Sequence, residues 1–288
     1  MIRSMTAYAS AETASPAGNL ACELRTVNHR YLEISPRMPD ELRAHEGTLR
    51  ERIAARLSRG KVDATVRLRS EARLAGDGLQ LDSVLLAHLE ELANGLGNRF
   101  PGMTTQFTEL LRFPGVLQQA DVDPEAMQAA LLQVLDEALD ALTATREREG
   151  DKLGQIIAGR LDAIETIVVD VRQWVPEIRA ALRARLEARL ADMRQPMEPG
   201  RLEQELVLQV TRIDVDEELD RLATHVAEAR RVLKLAEPVG RRLDFLMQEF
   251  NREANTLGSK SVDARTTNAA VELKVLIEQM REQVQNIE

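Results

Sequence analysis

The feature that most constrains the fold of this chain is a long series of apolar residues at spacings of three and four. The series consists of Leu153, Ile157, Leu161, Ile164, Val168 and Val171 and, after a step of seven residues across Pro176, of Ile178, Leu182, Leu186 and Leu190. Residues three and four apart lie on one face of an α-helix, so the series predicts long amphipathic helices. Pro176 should kink the series or begin a second helix. A stripe of this length needs a partner, and we expect an antiparallel helical arm or a contact between subunits.

The first 73 residues show a shorter period, which is typical of strands. Strands are predicted at residues 2–9, 20–27, 31–38 and 62–70. The alternation is clearest in the last segment, where Val62, Ala64 and Val66 fall on one face. A helix of about residues 40–58 is predicted between the third and fourth strands.

These patterns predict an α+β fold in three parts. Residues 1–73 would form a small N-terminal α+β domain with antiparallel strands. Residues 74–197 would form a helical arm and connecting region built from long central helices. Residues 198–288 would form a mainly helical C-terminal domain, which we expect to be catalytic. The second boundary falls in residues 193–200, where two prolines and a glycine are typical of a linker.

Composition excludes several classes of protein. Hydrophobic residues make up 44% of the 288 residues and charged residues 30%, as in soluble globular proteins. Cys22 is the only cysteine, so no disulfide can form within the chain, and this favours a reducing cytoplasm. The N-terminus lacks the apolar core of a signal peptide, and no stretch approaches the roughly 20 apolar residues of a membrane span. We therefore expect a cytoplasmic protein with no membrane partner.

The distribution of charge is more informative than its sum. A net charge of −9 argues against a protein that coats nucleic acid by bulk electrostatics. Residues 1–73 nevertheless hold 13 basic and 9 acidic residues, whereas residues 201–288 hold 13 basic and 17 acidic residues. This asymmetry is compatible with phosphate binding at one end and metal binding at the other. It is equally compatible with ordinary variation.

Residues 240–260 predict a helix with an unusual polar face. Its apolar stripe consists of Leu246, Phe250, Ala254 and Leu257, and its polar face of Asp244, Gln248, Asn251, Arg252 and Asn255. Glu249 and Glu253, one turn apart, line the flank of that face. Asn and Asp are poor helix formers, so a face rich in them indicates a surface selected for what it contacts. The alternatives are a subunit contact and a buried hydrogen-bonded network.

An acidic run marks the start of the preceding predicted helix. It consists of Asp214, Asp216, Glu217, Glu218 and Asp220. Glu217, Arg221 and His225 are each four residues apart, so they form a column on one face of that helix. Carboxylates are ligands for Mg²⁺ and Mn²⁺, and Mn²⁺ also accepts imidazole. The simpler interpretation of the run is a capping box between Asp214 and Glu217 together with a surface ion pair.

Several segments resemble the YicC/YloC family of bacterial endoribonucleases. They are residues 1–8, 25–32 (RTVNHRYL), 57–62, 201–205 (RLEQE), 212–225, 240–260 and 281–288. The resemblance extends from end to end of the chain with little sign of insertion. It implies a metal-dependent endoribonuclease that uses Mg²⁺ or Mn²⁺, forms a homo-oligomer, a hexamer in the family, and acts in small-RNA or mRNA turnover.

With this resemblance, acidic residues of the C-terminal part become candidates for the active site. The catalytic candidates are Glu218, His225, Asp244 and Glu249. The metal-ligand candidates are Glu205, Glu217, Glu218, His225, Glu249 and Glu253. A usual structural zinc site is excluded, because the chain has one cysteine and four widely separated histidines.

Basic and aromatic residues are the candidates for RNA contacts. They are Arg25, Asn28, Arg30, Tyr31, Arg59, Lys61, Arg241, Arg242, Arg252 and Lys260. Tyr31 would stack on a base while neighbouring arginines meet phosphates, and the alternative is ordinary solvated surface. The favoured function is a metal-dependent endoribonuclease. The alternatives are a non-catalytic RNA-binding adaptor that recruits another nuclease and a structural oligomer.

Overall fold

The computed structural model describes residues 2–69, 80–97, 99–118, 123–191, 213–235 and 237–288, whose fold is α+β, as predicted. The strands are β1 (Ala7–Ser15), β2 (Gly18–Val27), β3 (Leu32–Arg37), β4 (Gly60–Arg69), β5 (Gln80–Leu81) and β6 (Leu117–Gln118). The α-helices are α1 (Glu46–Arg56), α2 (Ser83–Gly97), α3 (Phe107–Arg112), α4 (Pro124–Ala191), α5 (Asp216–Val232), α6 (Gly240–Lys260) and α7 (Ala264–Val284). No helix among these residues combines the length and apolar character that a membrane span requires.

The N-terminal sheet has four strands in the order β1-β2-β4-β3. β2 pairs antiparallel with both β1 and β4, whereas β3 runs parallel to β4. The parallel pair arises because a helical crossover, the 3-10 helix Asp40–His45 followed by α1, carries the chain back before β4 begins. The helix predicted at residues 40–58 is this crossover.

The first strand lies later than the sequence predicted. β1 covers Ala7–Ser15, whereas the prediction was residues 2–9. Its inward positions are small residues such as Ala9 and Ala11, so its apolar alternation is weak. The preceding residues instead meet the C-terminal end of the chain, where Ser4 forms an isolated β-bridge with Ile287.

The described residues form two hydrophobic cores, and α4 contributes to both. Its first half, from Met127 to Leu142, packs with α1 and with the inward face of the sheet, which includes Leu24. Its second half packs against α5 and α7, which in turn pack against α6. The two predicted domain boundaries, near residues 73 and 197, lie outside the described residues.

Most of the predicted apolar stripe on α4 is buried inside the chain. Its residues from Leu153 to Val171 are in the second core, Ile178 is also buried, and Leu182 and Leu186 are half-buried. The partner of the stripe from Leu153 to Val171 is therefore the α5–α7 bundle, and that part gives no reason to expect a subunit contact. α4 continues through Pro176 as one helix of 68 residues, so the proline does not begin a second helix.

The C-terminal residues of the chain contact both the loops of the N-terminal sheet and the long helix α4. Asn28 donates its side-chain amide to the carbonyl of Gln285 at 2.7 Å, and Ser58 donates to the Glu288 carboxylate at 2.6 Å. The same carboxylate pairs with the buried Arg146 of α4. Gly240 lies against this segment so closely that a Cβ there would come within 2.3 Å of the Ile287 carbonyl oxygen. The loops of the N-terminal sheet and the start of α6 thus contact the same short segment.

Candidate functional site

The candidate site lies where α5 and α6 pack together. α5 places Leu219, Leu222 and Val226 toward the second core, at the three- and four-residue spacing of a buried helical face. α6 does the same with Leu246 and Phe250. The polar side chains at the edge of these two faces meet across the seam between the helices.

Three of the predicted metal ligands converge at that edge. One ring nitrogen of His225 and one carboxylate oxygen each from Glu249 and Glu253 all lie within 4.8 Å of one another. The two glutamates are four residues apart on α6, so they occupy one face a turn apart. Glu253 is only 3% exposed, whereas Glu249 and His225 are half-buried. The packing of α5 across the flank of α6 buries Glu253, which the sequence had placed beside the exposed polar face.

The surroundings of His225 test whether a cation fits this cluster. Its Nε2 atom is buried and has no hydrogen-bond partner among the described residues. The ring packs edge-on against Phe250, with centroids 5.7 Å apart and planes at 70°. Leaving a buried polar atom unsatisfied costs about 1–3 kcal/mol, so a ligand at this nitrogen would relieve the cost. One imidazole and two carboxylates form a donor set that fits a divalent cation such as Mn²⁺.

Arg221 connects this cluster to Glu217. Its guanidinium donates to Glu253 at 3.4 Å and forms an ion pair with Glu217 four residues earlier. The hydrogen bond to Glu253 and the nearby charge of Glu217 raise the pKa of Arg221 above its usual value. Glu217 therefore forms an ion pair with Arg221, which also donates to the candidate ligand Glu253.

Glu218 lies outside the three-residue cluster, although it was predicted as both catalytic and metal-binding. It is 5% exposed, and one carboxylate oxygen accepts a hydrogen bond from Nζ of Lys260 at 2.7 Å. Lys260 also donates to the carbonyl of Asp214 at 2.8 Å. The second carboxylate oxygen of Glu218 is buried with no partner among the described residues. Glu218 and Lys260 therefore form an ion pair that links the start of α5 to the end of α6.

Asp244 also lies away from the cluster. It accepts a hydrogen bond from Gln248 at 3.1 Å on the exposed side of α6. At 3.6 residues per turn, it points about 140° around the helix from Glu249. Its catalytic role therefore stays a prediction with no support from proximity. Glu205, the remaining predicted ligand, lies outside the described residues.

Other acidic residues at the start of α5 bind arginines of α4. Arg179 contacts Asp214 at 2.9 Å and Asp216 at 3.0 Å, and Arg172 contacts Asp220 at 2.5 Å. The predicted capping box is absent, because α5 begins at Asp216 and Val215 precedes it without a side-chain cap. These aspartates hold α5 against α4, which agrees with a structural interpretation.

The N-terminal candidates for RNA contacts differ in whether their side chains already bind other parts of the protein. Arg25 is exposed on the sheet face opposite the core, and Tyr31 is 64% exposed with the Arg30 guanidinium 5.2 Å from its ring centroid. Arg59 donates to the carbonyl of His29 at 3.4 Å, so it supports the β2–β3 loop. Asn28 supports the same loop by its bond to Gln285, and Lys61 lies 3.7 Å from Glu33.

The basic candidates on α6 also differ in whether their side chains already contact a carboxylate. Arg242 contacts Glu228, and hydrogen bonds from Arg231 and Arg242 lower the pKa of Glu228 to about 2. Arg241 and Arg252 are exposed, and neither has an acidic partner among the described residues. These two guanidinium groups are therefore available to a phosphate, whereas Arg242 and Lys260 already hold protein carboxylates.

Phe245 was not predicted from the sequence as a candidate residue, and its side chain is 60% exposed on α6. It lies one turn before Glu249 and outside the apolar stripe formed by Leu246 and Phe250. The signal was present, because an aromatic residue out of phase with the buried face of a helix must point toward solvent.

Comparison with known proteins gives consistent results over the whole chain. The family described as "Endoribonuclease YicC-like, N-terminal region" matches residues 2–155, and "Endoribonuclease YicC-like, C-terminal" matches residues 171–288. A Haemophilus influenzae protein named "Probable endoribonuclease YicC" is 43% identical over 288 residues, with all of both chains covered. A Clostridioides difficile protein of the same name is 28% identical over 297 residues, again with complete coverage.

Proposed function

Because this chain belongs to the family of YicC-like endoribonucleases, we propose that it cleaves RNA internally at a site centred on His225, Glu249 and Glu253. The observation that carries the assignment of the site is the convergence of these three side chains, with an unsatisfied buried nitrogen on the histidine. The names of the relatives support the ribonuclease activity. The cluster supports dependence on a divalent metal, Mn²⁺ or Mg²⁺, which those names do not mention.

Each of the three side chains would supply one ligand atom to the metal. Glu249 and Glu253 would supply carboxylate oxygens, and His225 would supply a ring nitrogen. A bound divalent cation would stabilise negative charge on the scissile phosphate and help to generate the attacking hydroxide. Phe250 fixes the orientation of the imidazole by packing against its ring.

Arg221 would have two parts in the same site. Its bond to Glu253 fixes that carboxylate in the cluster, and its charge offsets part of the repulsion between acidic groups and an RNA backbone. Because the guanidinium is half-exposed at the edge of the seam, it is also placed to contact a phosphate once RNA arrives.

RNA would reach this site across the N-terminal sheet. The β2–β3 loop, which carries Arg30 and Tyr31, is tied through Asn28 to the same C-terminal segment that lies against the start of α6. Shared contacts with this segment thus link the loop that carries the binding groups to the helix that carries the cluster.

We expect Arg25→Gln and Arg30→Gln to weaken RNA binding without reducing kcat at saturating RNA. Each lost phosphate contact should reduce the salt dependence of binding to a single strand by about 0.7 in log–log slope. The matched control is Arg43→Gln, which removes an exposed arginine already paired with Asp40. Fluorescence anisotropy at several salt concentrations, with a chelator present, measures the slope. An unchanged slope together with a lowered kcat would contradict this role.

A cleavage assay on the same RNA, with metal in place of the chelator, separates the nuclease from the adaptor. Purified protein that binds RNA and never cleaves it, with Mn²⁺ or Mg²⁺ supplied, would favour a non-catalytic adaptor that recruits another nuclease. Cleavage that persists through purification and disappears with one carboxylate of the cluster favours the nuclease.

We also propose a homo-oligomer, such as the hexamer implied by the family resemblance, now for a different reason. None of the described side chains of α2 is buried, and Leu92, Phe100, Phe107 and Phe113 around α2 and α3 are all exposed. A soluble monomer rarely leaves so much apolar surface uncovered. Light scattering at micromolar concentration should show a multimer, and Phe107→Ser should shift it toward monomer. A stable wild-type monomer would contradict the proposal.

A further inference from the structure

We infer that the exposed side of α6 binds unpaired bases of the RNA strand next to the scissile phosphate. This surface, the α6 crest, consists of Phe245, Gln248, Asn251, Arg252 and Asn255. The inference rests on the proposed function and extends it, because it assigns single-stranded RNA as the substrate class. Neither the family description nor the names of the relatives assigns a site to these residues.

The amides of the crest can form hydrogen bonds with base edges. Gln248 donates to Asp244 at 3.1 Å, and Asn255 donates to Asn251 at 3.0 Å. These bonds hold the side chains in order along the helix and still leave each amide with further donor or acceptor capacity. Amide side chains pair with the hydrogen-bonding edges of bases that are splayed out of a duplex. The crest therefore presents ordered donors and acceptors, and the neighbouring carboxylate of Asp244 is engaged by Gln248.

Phe245 supplies the stacking partner that such a surface requires. Its ring is 60% exposed and lies one turn from Glu249, a member of the metal cluster. Aromatic rings that accept unpaired bases are the usual feature of single-strand recognition. A base stacked on Phe245 would have its own phosphate within one helical turn of the cluster.

The charges and shape around the crest also suit a nucleic acid. Arg252 has no acidic partner among the described residues, and it lines an open groove with Asn255 and Arg281. Among the described residues, the acidic partner of Arg281 is Glu278, at 3.7 Å. A protein partner would be expected to meet a more apolar centre, because the cores of protein interfaces are depleted in polar and charged groups. One aromatic ring among amides and arginines favours single-stranded RNA.

The test uses binding to a labelled single-stranded RNA of about ten nucleotides, measured by anisotropy with a chelator present. A second oligonucleotide of equal length carries ribose without bases at its central positions. Wild-type protein should bind the abasic strand about 5- to 150-fold more weakly, the range expected from losing a stacked base. Phe245→Ala and the double change Gln248→Ala/Asn255→Ala should remove most of this preference. Val271→Ala, an exposed apolar position on α7, should keep it.

The outcomes distinguish this inference from the proposed function. Equal binding of both strands by wild-type protein would overturn base recognition while leaving a backbone-binding nuclease intact. No binding of either strand and no cleavage would overturn the proposed function itself. A preference that survives in both crest variants would place base recognition elsewhere. If Phe245→Ala instead dissociates the oligomer, the crest is a contact with a second copy and the inference is wrong.

Discussion

Replacing Glu253 by glutamine is expected to lower kcat for RNA cleavage by at least about 100-fold. Loss of a residue that merely supports a metal ligand costs about 10- to 100-fold in affinity or activity, and Glu253 is placed to be a ligand itself. The change preserves shape and removes the negative charge that a hard cation requires. Single-turnover cleavage measures the rate, and Mn²⁺ titration by electron paramagnetic resonance measures the metal affinity, which should fall in parallel.

The matched control for this prediction is Asp244→Asn on the same helix. It makes the same charge change about 180° around α6 from Glu253, where Asp244 forms a side-chain hydrogen bond only with Gln248 among the described residues. We expect metal affinity to be unchanged and any effect on cleavage to be small. Equal loss in Asp244→Asn and none in Glu253→Gln would reverse the assignment and restore Asp244 as a catalytic residue. Full activity of Glu253→Gln in the presence of a chelator would remove the metal from the proposal altogether.

The fold could be predicted where periodicity is strong. The stripe on α4 and the faces of α6 follow from residues three and four apart, and β4 follows from alternation of Val62, Ala64 and Val66. β1 was misplaced because its inward residues are alanines, which carry little apolar signal. The parallel pairing of β3 was also missed, although the helix predicted between the third and fourth strands is the kind of crossover that parallel strands require.

The site could be predicted in part, because the spacing of residues along one helix can be read from the sequence. Spacing along one helix placed Glu249 beside Glu253, and the resemblance added His225. Their convergence depends on how α5 packs against α6, which spacing does not reveal. Glu218 was assigned to the metal because its partner, Lys260, is 42 residues away in sequence and on another helix. From the sequence alone, a carboxylate that forms a buried ion pair cannot be distinguished from one that binds a metal.

Lys260→Met is expected to lower the free energy of unfolding by about 3 kcal/mol. Removing one partner of a buried ion pair leaves an uncompensated charge, which typically costs about 3–5 kcal/mol. Lys260 is partly exposed, so we expect the lower end of that range. Urea denaturation followed by circular dichroism measures the change. The control is Arg43→Met in the 3-10 helix, whose ion pair with Asp40 is exposed and should contribute less than about 1 kcal/mol.

The double variant Lys260→Met/Glu218→Gln then decides what Glu218 does. If Glu218 only braces the two helices, its neutral amide removes the uncompensated charge, and the double variant should recover most of the lost stability. Mn²⁺ affinity and kcat should then stay close to the wild-type values, because His225, Glu249 and Glu253 are untouched. If Glu218 is instead a metal ligand, stability should recover while metal affinity and cleavage are lost together. That result would extend the cluster along α5 from His225 toward its N-terminus and return Glu218 to the active site.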